Sequence, residues 1–115
     1  MTVRDIIRVL DAKVIADADL DAEVKSACGS DMMSDVLAYV KDQSVLITGL
    51  VNPQVVRTAD MMDIKCIVFV RGKEPDETVV QLANEKLISL ISTRFRMFTA
   101  CGLLYMHGLR GGCGI

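Results

Sequence analysis

The sequence predicts one α/β domain with a mostly parallel sheet and helices on both faces. Three observations carry this. First, the apolar run Val45-Leu46-Ile47 stops at Thr48-Gly49, and Asn52-Pro53 then opens a helix. Asn is a strong N-cap, and Pro is favoured at the first helical position. Second, Cys66-Ile67-Val68-Phe69-Val70 is apolar without alternation, the pattern of a strand buried on both faces. Third, strands starting at 45, 66 and about 88 are one strand–helix unit apart, and right-handed crossovers then put helices on both faces. A chain of 115 residues is near the usual size of one domain.

The elements follow in order. Thr2 to Leu10 has apolar residues at 3, 6, 7 and 10, a helical spacing with Thr2 as cap. Lys13-Val14-Ile15 is a short strand, and Asp17 to Asp21 an acidic loop. Glu23 to Cys28 alternates loosely and predicts a strand ending at Gly29-Ser30-Asp31. Met32, Met33, Val36, Leu37 and Val40 mark a helical face capped by Ser30 or Asp31. The strand from Val45 to Thr48 leads into a helix over Pro53 to Met62, with Val55, Val56, Ala59 and Met62 inward. After the strand at 66–70, Arg71-Gly72-Lys73-Glu74-Pro75 is a loop. A helix to about Lys86 presents Val79, Leu82, Ala83 and Leu87 to the core. Leu87 to Ser92 is the last strand. Thr93 caps a final helix with Phe95, Phe98, Gly102 and Tyr105 along one stripe. The domain is expected over residues 1–109, with a flexible tail at 110–115.

Composition narrows the function. The net charge is −2, without a basic stripe or tail, which argues against nucleic acid as a partner. No apolar segment approaches membrane-spanning length and no signal-peptide core opens the chain, so no membrane partner and a cytoplasmic location are expected. Apolar residues reach 51% but aromatics only 4%, so the core is aliphatic and Met-rich. The apolar surplus is also what a subunit interface requires, and a well-filled core accounts for it equally well.

The four cysteines, at 28, 66, 101 and 113, form no Cys-x-x-Cys, so neither a metal nor a cofactor is expected. Cys66 and Cys101 are expected as small buried hydrophobes. Cys28 and Cys113 stand beside glycines, with no His or basic neighbour to lower a thiol pKa. The only histidine, His107, has no flanking nucleophile or carboxylate. With no phosphate loop, nucleophile–base pair or metal set, an enzyme is not expected.

In open parallel sheets, ligands bind beyond the carboxyl ends of the strands. Four loops qualify, and their candidate ligand-binding residues are Ser30, Asp31, Thr48, Gly49, Asn52, Arg71, Gly72, Lys73, Thr93 and Arg94. Together they offer hydroxyls, an amide, backbone N–H groups and cations, which suit a small anion. Arg94 and Arg96 fall in the first turn of the predicted last helix, where the dipole disfavours cations. Seven of these residues also have a purely structural explanation: Ser30, Asn52 and Thr93 as caps, Gly49 and Gly72 as turn glycines, Arg71 and Lys73 as solvated charges.

Three segments in this order resemble the DRTGG domain family: Ala27-Cys28-Gly29-Ser30-Asp31-Met32-Met33-Ser34-Asp35-Val36-Leu37, Ile47-Thr48-Gly49-Leu50-Val51-Asn52-Pro53 and Ile67-Val68-Phe69-Val70-Arg71-Gly72-Lys73-Glu74-Pro75, followed by Ile91-Ser92-Thr93. That family is similar to the N-terminal domain of bacterial HPr kinase/phosphorylase. The resemblance implies the same α/β fold and a regulatory or oligomerising role, accessory to phosphotransacetylases and CBS-containing pyrophosphatases. The namesake Asp-Arg-Thr-Gly-Gly string is absent: Leu50-Val51-Asn52-Pro53 follows Thr48-Gly49.

The expected function is a non-catalytic regulatory or ligand-sensing module. It would be a homodimer through Phe95, Phe98, Leu104 and Tyr105, and would take a nucleotide or other small anion at the sheet edge. The alternative is a protein-interaction subunit of a partner enzyme, with no ligand.

Overall fold

The computed structural model describes residues 1–40 and 43–111. Its elements run α1 (Val3–Leu10), β1 (Lys13–Ala16), β2 (Ser26–Gly29), α2 (Met33–Tyr39), β3 (Ser44–Thr48), α3 (Pro53–Met61), β4 (Cys66–Phe69), α4 (Glu77–Lys86), β5 (Ser89–Ser92) and α5 (Met97–Met106). One sheet has the order β1-β5-β4-β3-β2. Strands β2 to β5 are mutually parallel, and β1 joins β5 antiparallel at one edge.

Alternate residues of the central strands feed two apolar layers. Val45, Ile47, Cys66, Val68 and Ile91 pack with Val3, Ile6 and Leu10 of α1 and Ala100 and Leu104 of α5. Leu46, Ile67, Phe69 and Leu90 face the other way, onto Val36 of α2, Val55, Val56 and Ala59 of α3, and Val79 and Ala83 of α4. The non-alternating runs are thus strands covered on both faces, as predicted.

Local chemistry sets the helix starts. Thr2 Oγ1 accepts from the Asp5 N–H at 3.2 Å, and Asp5 Oδ2 accepts from the Thr2 N–H at 2.9 Å, a reciprocal cap on α1. The Thr2 N–H, and then Arg8, hold the Asp5 carboxyl below its ordinary pKa. This contribution is therefore present at neutral pH and is lost as acid protonates Asp5 through its lowered value. Asn52 Oδ1 caps α3 through the Val55 N–H at 3.3 Å, with Pro53 opening the helix as expected. Asp76 does the same for α4 through Val79.

Three local expectations are corrected. The cap of α2 is neither Ser30 nor Asp31 but Met32, which makes no side-chain cap bond; Asp31 is drawn instead to the loop after β3. Leu87 does not face the core. It ends α4 in the left-handed region at φ 58° and is exposed, and β5 begins at Ser89. The last helix starts at Met97, not after Thr93: the Thr93 oxygen accepts from the Phe95 N–H at 3.3 Å in a turn that does not run on as helix, while its hydroxyl donates to the Leu10 carbonyl at 2.9 Å and anchors α1.

Of the predicted tail, residues 112–115, including Cys113, lie outside the described residues. The Arg110 carbonyl accepts from the Ala27 N–H at 2.9 Å, alongside β2. No helix among the described residues is long and apolar enough to cross a membrane.

Cys66 is fully buried, as expected, and burial pushes its thiol pKa up to about 12. Cys28 and Cys101 are each half-buried, and burial raises both. Folded protein at pH 8 should therefore react with iodoacetamide at Cys28 and Cys101 well before Cys66, since the thiolate is the nucleophile. Peptide mass mapping checks this; early labelling of Cys66 would contradict its placement.

Candidate functional site

Because β2 to β5 run parallel, the loops after Gly29, Thr48, Phe69 and Ser92 open on one edge of the sheet. Backbone and side chain knit them together. Asp31 Oδ1 accepts from the Gly49 N–H at 2.7 Å and from the Thr48 hydroxyl at 3.0 Å, joining the first loop to the second. The third loop crosses the second at Gly49. A Cβ on Gly49 would stand 2.7 Å from Arg71 Nη2, so the missing side chain is what lets the guanidinium lie there. The third loop is tied to the fourth by its backbone: the Arg71 N–H donates to the Phe95 carbonyl and the Gly72 N–H to the Thr93 carbonyl, both at 2.8 Å.

That last pair of bonds explains an unusual turn. Arg71 and Gly72 are both left-handed, at φ 62° and 68°. Gly adopts this freely, whereas Arg loses about 1 kcal/mol, which the two bonds to the fourth loop offset. The turn fixes where the Arg71 side chain leaves the backbone.

The ten candidate ligand residues thus divide. Asp31, Thr48, Gly49 and Arg71 come together; Thr48 and Gly49 are buried, while Asp31 and Arg71 are exposed. Gly72 shapes the turn. Ser30 is engaged locally, its hydroxyl accepting from the Met32 N–H at 2.9 Å. Asn52 serves as the cap of α3. Thr93 is buried and its hydroxyl is committed to Leu10, so it offers nothing to solvent. Lys73 is exposed, and its carbonyl accepts from the Ser92 hydroxyl at 2.7 Å. Arg94 reaches the other way, to Asp11 at 3.7 Å, beside a cleft of about 180 Å³ lined by Leu10, Asp11, Thr93, Arg94 and Phe95. Arg94 and Arg96 do not lie in a first helical turn, since both precede Met97; Arg96 is the N-cap and still stands at the positive end of α5.

Asp11, as the partner of Arg94, and the Phe95 carbonyl, as the anchor of Arg71, had no sequence signal, because each acts across a long stretch of chain. An open groove of about 520 Å³ lies at the opposite end of the strands, lined by Asp17, Ala18, Asp19, Ala22, Lys65 and Leu87. Two aspartates stand there against one lysine, itself paired with Asp63 at 2.9 Å, so the lining does not suit an anion. Among the described residues no group of three or more His, Cys, Asp and Glu could hold a metal ion.

Of the four interface candidates, Phe98 is 89% exposed, Tyr105 59% and Phe95 37%, but Leu104 is 1% exposed and belongs to the core beneath α5. Helix α5 is apolar all round, so it fills the core with one side and shows Phe98, Tyr105 and Met106 to solvent with another. Arg110 lies over the Tyr105 ring, 3.8 Å from its centre.

Comparison with known proteins agrees with this architecture. No curated protein sequence matches the chain. Among solved structures it is similar to the CBS and DRTGG domains of the regulatory region of Clostridium perfringens pyrophosphatase, crystallised with the activator diadenosine tetraphosphate. The TM-score is 0.75 at 17% identity, a likeness of fold. The match covers 90% of this chain and 45% of that one, so the chain spans less than half of that regulatory region. The DRTGG domain model matches residues 5–106, nearly the whole of the fold described above, and the chain belongs to the DRTGG domain family.

Proposed function

We propose that this domain is a non-catalytic regulatory module that senses a nucleotide or other small phosphate-bearing anion at the carboxyl edge of its sheet, and that it works as a homodimer. The observation that carries the ligand half is the convergence of the Thr48 hydroxyl, the Gly49 N–H and the Arg71 guanidinium where the loops meet. These are donors and a bidentate cation, the groups that phosphate oxygens take. The fold likeness to a regulatory region crystallised with a nucleotide activator supports the same reading. The dimer half rests on α5, where Phe98, Tyr105 and Met106 form exposed apolar surface on one helix.

Thermal unfolding with inorganic phosphate, ATP and diadenosine tetraphosphate tests the ligand. At a hundred times its Kd a ligand adds about 2.7 kcal/mol. The midpoint should then rise by at least about 5 °C in a domain of this size. Arg71→Gln should abolish the rise. A flat response to all three probes overturns the ligand half and leaves the alternative, docking on a partner enzyme, which the exposed face of α5 favours. Light scattering after size exclusion tests the dimer; a clean monomer at tens of micromolar overturns it.

A further inference from the structure

We infer that Asp31 is an internal competitor for the anion site: a phosphate-bearing ligand displaces its carboxylate from Thr48 and Gly49, and the displacement loosens α2. This rests on the reading of the loop edge as an anion site. Both the Thr48 hydroxyl and the Gly49 N–H are buried donors that end on one oxygen, Asp31 Oδ1, with the Arg71 guanidinium lying against Gly49. In this state a carboxylate occupies the place an incoming phosphate oxygen needs. The two sides of the contact are unequal. Asp31 is exposed and on a loop, so its carboxylate regains water when it swings out. The buried donors have no such recourse and need an acceptor, which the ligand provides.

The consequence falls on α2. This helix has seven residues, buries only Val36, and starts at Met33 after Met32, an N-cap that makes no side-chain bond. A helix so short is not stable by itself and depends on what holds it. Asp31 immediately precedes Met32, and its two bonds tie the head of α2 to the loop after β3. Exchange of Asp31 for a ligand oxygen cuts that tie. Ligand binding thus becomes a change in the mobility of one peripheral helix, which carries the exposed side chains of Leu37 and Tyr39.

ATP is the probe. In wild-type protein, bound ATP should shift the Gly49 amide resonance and speed hydrogen exchange at residues 33–39. Asp31→Asn keeps the shape and an acceptor oxygen but removes the competing charge. It should bind ATP about tenfold more tightly in calorimetry, since charge-assisted bonds give way to neutral ones. Asp31→Ala, which removes the acceptor and so cuts the tie outright, should show fast α2 exchange before any ATP is added. Unchanged or weaker ATP binding by Asp31→Asn, with wild type binding normally, overturns the competition and leaves the anion site standing. An unmoved Gly49 amide, or unchanged α2 exchange, in ATP-bound wild type overturns it too and needs no variant. If ATP binds neither protein, the anion site itself fails and the competition falls with it.

Discussion

Replacing Phe69 with Ala should cost about 3–5 kcal/mol and bring the domain close to unfolding. Phe69 is fully buried, sits at the end of the central strand β4, and heads the largest buried side chains. It packs in the layer that joins the sheet to α2, α3 and α4. A methyl in its place leaves a cavity between the sheet and these helices that closes only in part. A typical domain has about 5–15 kcal/mol in total, so the loss is a large share of it. In urea unfolding the midpoint should fall sharply with the slope unchanged, because the surface exposed on unfolding stays nearly the same. Phe69→Leu keeps most of the volume and should lose much less. An Ala variant within about 1 kcal/mol of wild type would contradict the packing around β4. Phe69 pairs with Thr48 across the strands, and its carbonyl accepts from the Thr93 N–H at 2.9 Å. Residual anion binding by the Ala variant should therefore weaken as well.

Thr93→Val should cost about 1–3 kcal/mol, although it adds no bulk. The Thr93 hydroxyl is buried, and donates to the Leu10 carbonyl across 83 residues of sequence. Valine leaves that carbonyl at the end of α1 without its donor. It also removes the acceptor for the Phe95 N–H at 3.3 Å. Thr93→Ser restores both bonds and gives up only a methyl group, so it should recover most of the loss. Chemical denaturation of the three proteins gives the comparison. If Val and Ser variants were equally stable, the hydroxyl would not be what fastens α1 to the loop after β5.

Thr93 also shows why part of the fold was legible in the sequence and part was not. The strands β3, β4 and β5 and the helix α3 were readable because their signals are local: apolar runs, a turn at Thr48-Gly49, and Asn52-Pro53 at the head of α3. Thr93 carries the same local signal as any N-cap and its oxygen does accept from the Phe95 N–H, yet α5 starts only at Met97, and the bond of its hydroxyl to α1 lies across too long a stretch of chain for any spacing to record. Leu87 fits the helical period of α4, but the chain turns left-handed there and takes it to the surface. The loop edge was legible as a place, because parallel strands dictate it. Its contacts were not, because the bonds from Asp31 to Thr48 and Gly49 join separate loops, and no spacing rule records the left-handed turn at Arg71.

The two outer strands decide how this domain can and cannot join others. Each is only four residues long. Strand β1 breaks its register between Val14 and Ala16 and carries Lys13, paired with Glu74 at 3.2 Å. Beside β2, Arg110 already occupies the Ala27 N–H. Short, irregular, charged or covered edges resist the addition of a foreign strand. Among the described residues both edges of the sheet are thereby poor templates for amyloid-like stacking or strand exchange. A partner that meets the helical layers instead is read by side chains, which can be selective in a way that bare backbone cannot.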